Sequence, residues 1–164
     1  MTWRGASSPT DRIFACLVYL LPLMDVIALC SRPLLTSGSF LAPLFAVIAQ
    51  PLSPLLSLYF GIPFMPLIVF FALFLLVVRN ESIAHFIRFN AMQSILFGIV
   101  LSLISIVWSF VLRDLLGGSL IEQTLFNTIF LGAVAAIGYS IVQSALGRYA
   151  EIPTISEAAY SQVR

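Results

Sequence analysis

IPFMPLIVFFALFLLVVRNESIAHFIRFNAMQSIL, residues 62–96, runs through an apolar stretch, crosses a polar turn and returns to apolar sequence. It reads as two membrane spans joined by a short charged hairpin. The turn gathers Arg79, Asn80, Glu81, His85, Arg88, Asn90 and Gln93 in a chain with little other polar chemistry near its hydrophobic segments. Function is expected to begin there.

The rest of the composition agrees with a bilayer. Of 164 residues, 60% are hydrophobic and 9% charged, against about 25% charged in soluble domains. The fold class expected is all-α: a polytopic membrane protein with four transmembrane helices plus a proline-rich interfacial or re-entrant segment. All 8 basic residues are arginine, the net charge is +1 and no basic stripe exists, so nucleic acid is excluded as a partner.

Working outward, spans are predicted over residues 13–30, 62–79, 90–112 and 125–146. They form a membrane domain over 12–147, with a short N-terminal tail over 1–11 and a mobile polar tail over 148–164. Residues 40–60 carry Pro43, Pro51 and Pro54, and their longest run free of polar residues is too short to span. That segment is assigned to the interface or to a re-entrant loop, with Ser39, Pro43, Ala46, Gln50, Ser53 and Ser57 on one face. Four spans put Arg4, Arg12, Arg79, Arg88, Arg148 and Arg164 on one side, and Arg32 and Arg113 on the other. A fifth crossing would spoil that bias. The positive-inside rule then places both termini on the cytoplasmic or stromal side.

Two stripes of small residues predict helix packing: Ser94, Gly98 and Ser102, continuing to Ser105 and Ser109, and Thr128, Gly132, Ala136, Ser140 and Ser144. The expectation is close approach of the last two spans to each other across the Gly117-Gly118 turn; contact with a second copy or a partner is the other reading.

Asp25 is the only acid inside a predicted span, where an ionised carboxylate costs on the order of 2.5 to 3.5 kcal/mol. Either it reaches the interface and pairs with Arg32 or Arg113, or it faces a buried partner or a polar pathway. Pro22 is expected to kink the helix beside it. In the hairpin, Glu81, His85 and Arg88 have helical spacing behind a Ser82 cap, which suits interfacial anchoring. Asn90 and Gln93 lie deeper and close together around the helix, so they face protein or water: an interhelical hydrogen bond, or the wall of a polar path. Cys16 and Cys30 lie about 21 Å apart along one helix and cannot pair within it. A single histidine and scattered acids offer no metal site and no cofactor is implied. Nucleophile elbow, phosphate loop and HExxH are all absent, so no enzyme is expected and no catalytic residue is assigned.

Three strings together resemble one family: DRIFACLVYLLPLMD (residues 11–25), the opening stretch (62–96) and NTIFLGAVAAIGYSIVQSALGRYAEIP (127–153). They are similar to the twenty-kilodalton subunit of the chloroplast inner-envelope protein translocon, the TIC complex, and to its plastid-encoded and cyanobacterial relatives. HFIRFNAMQ is the most specific part. The resemblance implies an integral membrane subunit of a protein-translocation complex in the plastid inner envelope or a cyanobacterial membrane, lining part of a preprotein-conducting path. Its partners would be the lipid bilayer, other translocon membrane subunits and transit polypeptides. A tail of eleven residues precedes the predicted membrane domain, against the long transit peptide of nuclear-encoded members, so the plastid-encoded or cyanobacterial type is expected. A non-channel assembly or scaffold protein and a small ion or solute channel gated around Asp25 and His85 are the alternatives.

Overall fold

In the computed structural model, which describes residues 8–36 and 38–163, the chain enters its first helix through a capping box. The Ser8 hydroxyl accepts from Asp11 N (3.2 Å) and Ser8 N donates to the Asp11 carboxylate (2.8 Å). Helix α1 (Pro9–Leu17) breaks at Val18 and Tyr19 before α2 (Leu20–Thr36) begins. The break lies one turn before Pro22, which has no N–H to offer the Val18 carbonyl. Then follow α3 (Ala42–Gly61), α4 (Met65–Val78, π-wound over Leu73–Val78), α5 (His85–Leu116), α6 (Leu120–Ala145) and a short α7 (Ile155–Gln162). Among the described residues the fold is all-α, and four helices are long and apolar enough to cross a membrane: Pro9–Thr36, Ala42–Gly61, His85–Leu116 and Leu120–Ala145. Arg4 and Arg164, part of the arginine count, lie outside the described residues.

Length alone thus selects Ala42–Gly61, whereas hydropathy in the sequence pointed to residues 62–79. Long-range contacts explain the difference. Cys16 Sγ meets the Ile141 carbonyl (3.5 Å) and Cys30 Sγ the Phe126 carbonyl (4.0 Å), so α6 runs antiparallel to α1–α2. Tyr19 meets Asn90 while Asp25 lies over Gly98, so α5 runs parallel to α1–α2. Two parallel neighbours require a return between them, and α3 and α4 supply it in two pieces. At its start, Ser39 donates to Asn127 Oδ1 (2.6 Å) and the Phe45 ring lies 5.5 Å from Phe130, at the Cys30 end of the bundle. By Tyr59 the chain has reached the level of Asp25 and Ser94, which Pro66, Leu67 and Phe70 share. Val78 then arrives at Arg88, at the opposite end. The return is therefore one broken helix, interrupted at Ile62, Pro63 and Phe64, where Phe64 takes a left-handed conformation (φ 62°).

Helix α2 is the central element, packed at length against both α5 and α6. Val26, Cys30 and Leu34 of α2 interdigitate with Phe126, Phe130 and Ile137 of α6, and Trp108 of α5 sets its ring edge-on to Phe126 at 4.8 Å. The expected approach of α5 to α6 along small-residue stripes is not what forms: the two meet through side chains such as Trp108–Phe126 and Asn90–Ser144, with α2 between them.

The tail expected to be mobile is folded against the bundle. Helix α7 lies on α5, burying Ala159 and Val163 beside Phe89, Met92 and Ile95. The Tyr160 ring lies tilted against Phe89 at 4.4 Å and Tyr149 meets the same ring at 5.0 Å. Those aromatic contacts supply the apolar surface that a polar octapeptide lacks for itself.

Candidate functional site

Asn90 lies fully buried where three helices meet. Its Oδ1 accepts from the Tyr19 hydroxyl (2.9 Å) and from Ser144 Oγ (2.9 Å), while Nδ2 donates to the Phe86 carbonyl one turn back (2.8 Å). One amide thereby ties the α1–α2 break to α5 and α6. Beside it, Ser94 Oγ donates to the Val18 carbonyl at 2.6 Å. That is the carbonyl Pro22 cannot serve. The break at Val18–Tyr19 is what turns both the tyrosine hydroxyl and the Val18 carbonyl, which also accepts from Leu21 N (3.3 Å), towards α5.

Gln93, one turn from Asn90 and equally buried, has hydrogen bonds at neither Nε2 nor Oε1. A buried amide left unpaired costs about 1–3 kcal/mol. Asn90 and Gln93 thus share a depth but not a role: Asn90 is a satisfied interhelical bond and Gln93 an unsatisfied one.

His85 and Arg88 are bound to their own chain. The half-buried His85 ring approaches the Tyr149 hydroxyl at Nδ1 (3.0 Å) and the Val163 carbonyl at Nε2 (3.3 Å). A carbonyl only accepts, so Nε2 carries a proton, and in the neutral ring Nδ1 accepts from Tyr149. His85 therefore latches both ends of the folded tail. Arg88 Nε donates to the Val78 carbonyl at 2.9 Å, closing the base of the hairpin where the π-wound end of α4 leaves a carbonyl open. Helix α5 starts at His85 with Ala84 as its uncharged cap, and Asn80 Oδ1 accepts from Ser82 N instead. Ser82 is not the cap the spacing suggested, because the hairpin turn continues past it to Ala84.

Asp25 is separate from this group. Its Oδ2 lies so close over Gly98 that a Cβ there would be 3.1 Å away. Gly98 is 15 residues from Arg113, about 22 Å along α5, and Arg32 is 7 residues from Asp25, about 10 Å along α2. Pairing of Asp25 with either arginine at the interface is not what the structure forms. Those two arginines instead line a cleft with Asp114 and Glu122 at the end of the bundle. Asp25 opens into a cleft of about 300 Å³ with Tyr59, Ser94, Gly98 and Ser102, and into an adjoining one of about 370 Å³ with Ser102 and Ser105.

The α5 stripe therefore faces Asp25 and these clefts: Ser94 is buried, Gly98 half-buried and Ser102 exposed. On α6 the stripe divides. Ser140 and Ser144 are buried, Ala136 is half-buried, and Gly132 is exposed with open space where its Cβ would be. Sequence reasoning missed Tyr19 as a partner of Asn90, placed Ser144 only in a packing stripe, and missed Tyr59 beside Asp25. Tyr19 alone carried a signal, an aromatic hydroxyl three residues before a mid-span proline.

The profile of the family described as "Chloroplast import apparatus Tic20-like" matches residues 7–159. A Tic20 family protein of the cyanobacterium Synechocystis is 50% identical over 167 residues, covering 100% of this chain and 99% of its own length. Tic20 family protein Ycf60 of Gracilaria tenuistipitata is 35% identical across 93% of this chain and 75% of that protein. Protein TIC 20-II, chloroplastic, of Arabidopsis thaliana is 28% identical across 99% of this chain and 78% of its own length.

Proposed function

The chain belongs to the Tic20-like family, and on that premise we propose that it is an integral membrane subunit of a TIC-like protein-translocation complex in a cyanobacterial or plastid membrane. The observation that carries this is the end-to-end match to the Synechocystis relative, which extends through all seven helices of a multi-pass bundle. The chain crosses four times, up through α1–α2, down through the broken pair α3–α4, up through α5 and down through α6. Arg12, Arg79, Arg88 and Arg148 then occupy one side and Arg32 and Arg113 the other, a bias that by the positive-inside rule favours both termini on the cytoplasmic or stromal side.

Within that role the Asn90 group acts as a lock. A path through a single copy at this depth would have to break three hydrogen bonds at a fully buried amide. The bundle instead contributes one outer wall to a path assembled with other membrane subunits, along which transit polypeptides pass. A scaffold role without any path is the second reading, favoured by the same saturation of Asn90.

Purification of the tagged chain from native membranes in mild detergent tests the subunit role. Expected is a complex of other membrane proteins that also retains an arrested transit polypeptide. Partners without any such polypeptide would select the scaffold, and a chain that purifies alone would refute both.

A further inference from the structure

The two clefts beside Asp25 form one groove along α5 from Ile95 to Ile106, about 16 Å or three helical turns. Its floor is made of small side chains, Ser94, Gly98, Ser102 and Ser105, the composition that lets another helix backbone come close. Two polar groups look into it without partners. Asp25 has neither a hydrogen bond nor an ion pair among the described residues, and the Tyr59 hydroxyl, on a ring 8% exposed, has none either.

A third observation concerns the groove's edge. The break between α3 and α4, residues 61–64, is exposed at the level of Asp25 rather than at an end of the bundle. Irregular backbone at membrane depth persists only where protein or a water-filled cavity covers it. The same holds for an unpaired carboxylate. Something other than lipid therefore covers this face.

We propose that one transmembrane helix of a partner protein lies in the groove and presents a lysine or arginine at mid-span to Asp25. The inference rests on the reading of this chain as a subunit of a membrane complex, and names the contact through which a partner is held. A second copy does not fit the charge: Arg12, Arg32, Arg79, Arg88, Arg113 and Arg148 all lie towards the ends of the bundle, so none reaches Asp25's depth. Lipid tails bring no donor. A cationic side chain entering over Gly98 meets the carboxylate directly and the Tyr59 hydroxyl beside it, while its helix closes over the α3–α4 break.

The test uses the purified full chain in liposomes with a photo-crosslinking residue in place of Ser102. The probe is a synthetic peptide of about 20 leucines with one central lysine; sister peptides carry leucine or glutamate there. Capture of the lysine peptide should exceed that of the leucine peptide by on the order of tenfold. Asp25→Asn should remove the preference, and Asp25→Lys should turn it towards the glutamate peptide. Equal capture of all three, a preference surviving Asp25→Asn, or capture of lipid or a second copy alone would overturn the proposal. Helix content of each variant is checked by circular dichroism, and the Ser102 probe in an otherwise unaltered chain still discriminates lysine from leucine where a variant misfolds. A chain that purifies within a complex but shows no lysine preference loses this inference alone. One that shows the preference but purifies alone loses the subunit role.

Discussion

Asn90 and Gln93 stand three residues apart on one helix and differ in everything but depth. Both were legible as polar groups that must face protein or water, since lipid offers neither donor nor acceptor. Which one found partners was not legible, because that depends on where a distant tyrosine falls after a helix break. Replacing Asn90 with alanine frees the Tyr19 and Ser144 hydroxyls and should cost about 1–2 kcal/mol of unfolding free energy, at the upper end for membrane hydrogen bonds. Gln93→Leu removes two unpaired polar atoms and should be neutral or stabilising by up to about 1 kcal/mol. Unfolding of both variants in mixed micelles reads the difference; equal losses would mean that Gln93 has partners the geometry does not provide.

Elements were legible where the apolar run is long and free of proline. The hydropathy of residues 90–112 and 125–146 pointed to helices that the structure places there and begins several residues earlier. The region 40–79 was harder because its prolines carry two meanings. Pro51 and Pro54 lie inside α3 without ending it, whereas the interruption falls at Ile62–Phe64, ahead of Pro66 in the first turn of α4. Whether a proline ends a helix depends on what else can satisfy the released carbonyl, and that is a tertiary matter.

Pro22 shows the dependence directly. Restoring an N–H with Pro22→Ala adds a donor to the Val18 carbonyl, which otherwise accepts from Leu21 N (3.3 Å) and Ser94 Oγ (2.6 Å), so the Ser94 bond counts for less. Ser94→Ala should cost about 1 kcal/mol alone and distinctly less in the Pro22→Ala background, a coupling that a double-mutant cycle measures. Strict additivity would separate the proline from the serine. The tail helix was missed for a related reason: eight residues carry no reliable period, and its stability comes from Phe89 and His85 on another element. Tyr160→Ala should make the segment around residues 148–154 several-fold more sensitive to limited proteolysis. Unchanged cleavage would mean that the aromatic contacts do not hold it.

At the scale of the whole molecule the proposed four crossings rest on two separate arguments, the arginine distribution and contacts that put Ser39 and Val78 at opposite ends of the bundle. That proposal takes α3 and α4 as one interrupted helix, which hydropathy did not show because it gave residues 62–79 a span of their own and left residues 40–60 to the interface or a re-entrant loop. This architecture puts the α3–α4 break, Asp25 and the small-residue floor of α5 on one side of the bundle, where Ser94, one turn from Asn90, joins that floor to the Asn90 lock. On the proposed reading the lock maintains the bundle, and the groove beside Asp25 takes the partner helix.

Single cysteines in a chain with Cys16→Ala and Cys30→Ala test that architecture most directly, each probed with a membrane-impermeant thiol reagent in sealed vesicles of known orientation. The positions are exposed: Phe40 and Leu115 at one end of the bundle, Glu81 and Ser161 at the other. Phe40→Cys and Leu115→Cys should label only from the lumenal or outer side, and Glu81→Cys and Ser161→Cys only from the cytoplasmic or stromal side. Labelling of Phe40→Cys and Glu81→Cys from the same side would contradict the broken crossing and the four-span architecture with it.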